Sequence, residues 1–469
     1  MTLEQLLEAG QTALDAGRFH EASERFEEAW QLHRESFALV QVAANARRLA
    51  GDVLAERQLW QRAATTAPPG DAAGLYALGT GLLETGAPQE AQPCFERVVR
   101  MLPRDAAALG ALASALRANG DPQRGWAMVQ KAIGMTTAAP ALLLTAAQIR
   151  HALGDLSGAR QWLAKAERLR PDHALTSVQR AFTHLIAGAC QAGWDAFEAR
   201  GLPQGPEGVP AWHGEPLAGA TIAVVMEQGL GDLFHFVRYV RRLEARGAAR
   251  VIVECPPSAL RLLQASGFDA VATGLLPRTD WYVPLLSLPH RLGSDTDVAG
   301  DVVPYLHAEM SDGAPAPHAD RRVGLVTHGN PAFLSTVLRD LDASHAARLA
   351  EIPGIQWVWL QMGEPIPPAL DHAEQPALGG DWLDTARLLQ TLDAVVSVDT
   401  AVAHLAGAMQ LPVFVLLPYA PDWRWGLRSD RTAWYPSARL VRQPGPRDWA
   451  GALDELQRAV GAMSPRAMP

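Results

Sequence analysis

The stretch GDLSGARQWLAKA, residues 154–166, opens on a turn glycine. A large apolar residue follows nine positions on (Leu163) and a small one twelve positions on (Ala166). The same frame starts at Gly17, Gly51, Gly86, Gly120 and Gly188, every 34 or 35 residues. Position nine holds Phe26, Trp60, Phe95, Val129 and Phe197; position twelve holds Ala29, Ala63, Val98 and Ala132, with Arg200 the exception in the last copy. Between the glycines, apolar residues fall at three- and four-residue steps, as in LEQLLEAGQTAL (3–14), which is the period of an amphipathic helix. A helix pair this short cannot bury its apolar face alone. The copies must therefore stack into an α-solenoid over residues 1–200, whose concave surface suits a protein or peptide.

The rest of the chain obeys other rules. At 469 residues it is too long for one hydrophobic core. Its 48% hydrophobic content excludes a mostly disordered protein, and a net charge of −9 argues against nucleic acid as the main partner. Cys94, Cys190 and Cys255 are far apart and form no Cys-x-x-Cys pair, so neither a zinc site nor a disulfide framework is expected. The opening MTLEQLLEAGQ lacks a basic region followed by an apolar run, and no apolar stretch approaches the roughly 20 residues needed to cross a bilayer. The expectation is a cytoplasmic protein with no membrane span.

Residues 201–216, GLPQGPEGVPAWHGEP, hold four prolines and four glycines and read as a linker. Beyond it, short β-rich runs alternate with helical segments: TIAVVM (221–226), RVIVEC (250–255), RVGLVT (322–327), QWVWLQ (356–361), AVVSVD (394–399) and VFVLLP (413–418). That alternation predicts parallel sheets covered by helices on both faces. The polar, Pro-containing stretch 307–322 interrupts it. The second half therefore divides into a Rossmann-like half at 217–310, a linker at 311–321, a second Rossmann-like half at 322–460 and a tail at 461–469. Ligands of such halves meet the carboxyl ends of strands.

Two segments carry candidate chemistry. Glu227-Gln228-Gly229-Leu230-Gly231-Asp232 follows the first strand and opens a helix; its glycines let backbone approach a ligand, and Asp232 is either the helix cap or a general base. Gly229, Gly231 and Glu254 partly match a dinucleotide fingerprint, but Phe234 occupies the third glycine position, which argues against NAD. The second segment is Ser397-Val398-Asp399-Thr400-Ala401-Val402-Ala403-His404. There a strand gives way to a helix whose free amides at Thr400 and Ala401 suit a diphosphate, with Asp399 ordering the loop or binding sugar hydroxyls. A well-capped helix with a satisfied histidine is the plainer reading of the same residues. Asp295-Thr296-Asp297 and Asp340-Leu341-Asp342 match a short Asp-x-Asp metal motif, but neither follows a clear strand, and no metal site is expected.

The period and the Gly-x-x-x-x-Ala spacing resemble tetratricopeptide repeats. The turn at 229–232 together with SVDTAVAHLAGA (397–408) resembles bacterial heptosyltransferase-like glycosyltransferases of family 9. The closer resemblance is to the branch that fuses the repeats to such a domain, through Ala192-Gly193-Trp194-Asp195-Ala196-Phe197-Glu198-Ala199-Arg200, Trp212-His213-Gly214, Pro418-Tyr419-Ala420-Pro421-Asp422-Trp423-Arg424-Trp425 and Trp434-Tyr435-Pro436. That resemblance implies a GT-B fold, a nucleotide-sugar donor and no obligatory metal or other cofactor. It makes Asp232 the base that deprotonates an acceptor hydroxyl and assigns Asp399, Thr400, Ala401, His404, Asn330 and Arg339 to the donor side. Gln228, Gly229 and Gly231 form the glycine-rich turn. Some repeat-fused relatives are implicated in glycosylating proteins such as flagellin, so the repeats would hold a protein acceptor.

The chain also departs from the family. Phe333, Ser335 and Thr336 stand where a His, Asn and Asp are usual, Asp340 replaces a Ser, and Met362 replaces a Lys in Leu360-Gln361-Met362-Gly363. A repeat scaffold with a degenerate, non-catalytic domain is the alternative these changes favour. Trp423 and Trp425 have two readings: stacking on a sugar or base, or fastening a final crossover by packing.

Overall fold

The computed structural model describes residues 1–66, 70–136, 139–293, 303–309, 321–330, 336–377 and 379–463. The chain divides into two compact units, Met1–Pro171 with Asn330–Leu338, and Asp172–Gly329 with Arg339–Pro469.

The first unit is a helical-repeat solenoid. Its five helix pairs are Leu3–Asp15 with Phe19–Leu32, Phe37–Leu49 with Val53–Ala64, Ala72–Glu84 with Pro88–Met101, Ala106–Ala118 with Pro122–Ile133, and Pro140–Ala152 with Leu156–Leu169. A sixth pair, Ala174–Leu185 and Cys190–Phe197, belongs to the second unit.

Each recurring glycine sits between the two helices of its pair, with φ between 71° and 82°. The residue after it donates its N–H to a carbonyl five residues back: Arg18 to Ala13, Asp52 to Arg47, Ala87 to Leu82, Asp121 to Leu116, Asp155 to Arg150 and Ala189 to His184, at 2.8–3.0 Å. This is a Schellman closure, which satisfies orphan carbonyls of the first helix and needs a left-handed residue at the glycine. Where Asp follows the glycine, its carboxylate caps the second helix, as Asp52 does at Ala55 N and Asp155 at Gly158 N. The apolar residues at positions nine and twelve of the first five copies are buried in the pairs.

The second unit contains two all-parallel sheets. The first orders β1 (Thr221–Val225), β2 (Arg250–Cys255), β3 (Asp269–Ala272) and β4 (Trp281–Pro284) as β3-β2-β1-β4. The second orders β5 (Arg321–Val326), β6 (Ile355–Trp359), β7 (Ala394–Val398), β8 (Val413–Leu417) and β9 (Ala438–Arg442) as β6-β5-β7-β8-β9. All six expected strands are present, and β3, β4 and β9 are additional. In the first sheet the chain winds outward from β1 to β3 and then returns to lay β4 on the other side of β1. In the second it goes from β5 to β6 and back across β5 to β7. The strand order thus reverses between β1 and β4 and between β5 and β7, where doubly wound sheets open a crevice at their carboxyl ends.

Among the described helices none is long and apolar enough to cross a membrane. All three cysteines are buried free thiols, and no group of three His, Cys, Asp or Glu among the described residues could hold a metal ion.

Gly51 tests the repeat closure. A Cβ there would meet nothing within 4 Å, so the cost of Gly51→Ala is backbone strain alone. That change should lower unfolding free energy by about 1 kcal/mol, read as a lower urea midpoint; an unchanged midpoint would contradict the left-handed closure.

Candidate functional site

The two motif helices meet inside the second unit. The helix Leu230–Phe236 starts from the carboxyl end of β1, and the helix Ala401–Ala408 starts from that of β7. Gly231 faces the start of the second helix so closely that a Cβ would stand 3.0 Å from His404 Cδ2 and 3.7 Å from Ala401 N. Any larger residue would need the His404 ring to yield by a few tenths of an ångström. Gln228 ahead of it takes a left-handed φ of 61°, a conformation that stores strain in a non-glycine residue.

Asp232 uses both carboxylate oxygens. Oδ2 accepts from Gly229 N at 3.1 Å, closing the turn as a helix cap, and Oδ1 accepts from Arg424 Nη2 at 2.5 Å. Arg424 also reaches Asp422 Oδ1 at 2.8 Å, and its side chain is only 10% exposed. Burial alone would lower its pKa, but the charges of Asp422 and Asp232 raise it above the ordinary arginine value. Burial also pushes the Asp422 carboxyl above its usual range, with Arg424 opposing. Arg424 thus carries one carboxylate from each half of the unit.

A buried chain of rings lies behind this pair. Tyr435 Oη is 2.9 Å from His404 Nδ1 and 3.0 Å from His235 Nδ1, and His404 Nε2 faces Asp399 Oδ1 at 3.6 Å. Tyr435 Oη thus bridges the two imidazoles, with Tyr305 as a further hydrogen-bond neighbour. Burial raises the pKa of Asp399, but the hydrogen bond and charge of His404 and the charge of Arg339 outweigh it, and the carboxyl stays below its ordinary value.

Arg339 stands at the reversal point of the second sheet. Its Nη1 donates to the Asp399 carbonyl at 2.9 Å, and its guanidinium lies so close to Gly329 that a side chain there would displace it. Gly329 N in turn donates to Asp340 Oδ1 at 2.9 Å. Thr400 precedes its helix but does not cap it; its hydroxyl pairs with Ser397 Oγ at 2.8 Å.

Asp232, Gly229, Gly231, Asp399, Thr400, Ala401, His404 and Arg339 therefore gather around one seam. Asn330 belongs to the other unit. Phe333, Ser335, the side chain of Thr336, Asp295 and Asp297 lie outside the described residues, whereas Met362 is 59% exposed. Trp423 and Trp425 are buried packing residues: Trp423 meets Trp194 edge-on at 5.1 Å, and Trp425 stacks on His404 at 5.2 Å and 24°. This burial supports the packing reading. Sequence reasoning left Arg424, Asp422, Tyr435 and His235 without roles, although the first three stand inside segments that carried the family resemblance.

The fold and this seam define a repeat protein joined to a two-sheet α/β domain of GT-B type. Residues 76–140 and 111–174 match the tetratricopeptide repeat model, and residues 382–443, which include Asp399, His404, Arg424 and Tyr435, match that of glycosyltransferase family 9 (heptosyltransferase). Protein FlbA of Caulobacter vibrioides is 25% identical over 335 residues, 62% of this chain and 55% of its own length. The chain spans about half the length of that curated relative. Two solved repeat proteins are similar: one from Parabacteroides merdae (14% identical, 43% of this chain and 81% of that one, TM-score 0.36) and a thermophilic one from Thermus thermophilus (18% identical, 39% and 100%, TM-score 0.30). Residues 76–174 are tetratricopeptide repeats, and within the α/β domain residues 382–443 are similar to glycosyltransferase family 9.

His235 gives the site a pH signature. Burial first, then the charges of Arg238, Arg424 and His404, hold its pKa well below the ordinary value near 6.5. The unfolded chain consequently takes up this proton first, so the stability is intact above about pH 6.5 and declines as pH falls below it, by at most about 1.4 kcal/mol per pH unit. His235→Gln should flatten the decline in urea midpoint between about pH 7 and pH 5; an equal slope in both proteins would count against a buried neutral His235.

Proposed function

We propose that this chain moves a sugar from a nucleotide-sugar donor to a hydroxyl of a protein, flagellin-like in kind, held by the repeats. The observation that carries the reading is the meeting of the Gly-Leu-Gly-Asp turn with the Asp-Thr-x-x-x-His helix, with Arg339 at the neighbouring strand reversal. The start of the Ala401–Ala408 helix offers backbone amides and the positive end of its dipole to a diphosphate, and Arg339 adds a charge-assisted contact. The acceptor oxygen bonds to the anomeric carbon as Asp232 takes its proton. The bond from that carbon to the phosphate oxygen breaks, and the nucleotide leaves with the electron pair.

Asp232 Oδ1 is occupied by Arg424, so that oxygen takes a proton only after the guanidinium lets go. A donor phosphate is the natural replacement at Arg424, because the buried guanidinium needs an anion whichever one supplies it. Donor binding then precedes release of the base. The same contact supports a second reading, a non-catalytic binding scaffold in which the Arg424–Asp232 pair is permanent and the exposed thioether of Met362 leaves the donor short of a cation.

Asp232→Asn should abolish transfer while a nucleotide still stabilises the protein, by about 2.7 kcal/mol at a hundred times its dissociation constant. Arg339→Ala should weaken nucleotide binding by roughly ten- to a hundredfold, the worth of a hydrogen bond to a charged group. Full turnover by Asp232→Asn removes the base. No thermal shift with any of ADP, UDP, GDP or CMP, alone or carrying a sugar, decides for the scaffold.

A further inference from the structure

The sixth copy of the repeat differs from the others in what its side chains touch. Arg200, at the position where the other copies carry a small or apolar residue, forms a two-pronged pair with Glu227: Nε to Oε2 at 2.9 Å and Nη2 to Oε1 at 2.6 Å. Both side chains are 7% exposed. Glu227 also accepts from Leu286 N at 2.9 Å, just beyond β4, so the pair closes the strand reversal between β1 and β4. Glu198 Oε1 completes the network, accepting from Arg200 Nη1 and Ser287 Oγ. A few residues earlier, Trp194 packs edge-on against Trp423 and Phe236.

These contacts converge on Asp232 from two sides. Glu227 immediately precedes Gln228, whose left-handed backbone begins the turn that ends at Asp232. Trp423 immediately precedes Arg424, the partner of Asp232. We infer that Arg200 and Trp194 are positioning residues: the sixth helix pair is a clamp that fixes the Gln228–Asp232 turn and Arg424, and is not a further acceptor-holding repeat. The inference rests on the glycosyltransferase reading for its effect on turnover, but its structural content does not.

The test compares Arg200→Met, Arg200→Lys and Trp194→Phe with the full-length protein, and uses Arg250→Gln, in an exposed ion pair with Asp269, as the control. Amide exchange at residues 228–233 should accelerate in Arg200→Met and recover in part in Arg200→Lys, with the control unchanged. Transfer should fall by about tenfold or more, in kcat and not in donor affinity, as expected when a reacting group shifts within an intact donor site. Should Arg200→Met fail to fold with Glu227 buried and unpaired, Arg200→Met with Glu227→Gln removes both charges and still lacks the clamp. Unchanged exchange across the turn in the folding variants overturns the inference. A wild-type protein without transferase activity overturns the functional reading alone, because exchange still reports the clamp.

Discussion

A buried guanidinium cannot stand alone, and Arg424 is where this requirement organises the α/β unit. Left unpaired, it would cost several kcal/mol, so the surrounding chain must bring carboxylates to it. One, Asp422, comes from its own loop; the other, Asp232, comes from the first half across the seam. Supplying Asp232 fixes the helix Leu230–Phe236 against Ala401–Ala408, leaving little space at Gly231. A second buried arginine, Arg238, is met by neutral acceptors as well: it donates to the His235 and Trp434 carbonyls and to Tyr305 Oη, tying both halves to the segment between them. The aromatic rings fill the volume around these charges, and the arginines set the register in which they pack.

The ring chain follows from the same geometry. Tyr435 has one proton and three hydrogen-bond neighbours, His235, His404 and Tyr305, so at most one of them accepts from it. On the other side of His404, the Asp399 carboxylate lies 3.6 Å from Nε2. His235 Nε2 is buried with no hydrogen-bond partner among the described residues, in an apolar wall. Neutral His235 tolerates that wall. A protonated one would be a third cation beside Arg238 and Arg424, and burial first and then that repulsion hold its pKa down.

Much of the fold was legible because local chemistry has few solutions. A left-handed closure every 34 or 35 residues calls for glycine, and the strands with continuous apolar runs are those buried on both faces. The missed strands β3, β4 and β9 are all at sheet edges, and β3 and β4 are only partly buried, so their sequences lack that run. Asp232 and His404 were legible as helix-start residues. Their partners were not: Arg424 is separated from Asp232 by 192 residues and Tyr435 from His235 by 200, and no local period encodes either pairing.

Arg200 marks the boundary between these two kinds of information. The sixth copy keeps Gly188 and Phe197, so repeat logic predicts another stacking helix pair. Position twelve is buried in the first five copies, and an arginine placed there must find a carboxylate or destabilise the stack. The sequence announces that conflict without revealing its solution, which is Glu227 at the end of β1, brought near only by tertiary folding. Local rules hold where a copy packs on its neighbours and fail where it joins a different architecture, so the residue that breaks the pattern identifies the joint.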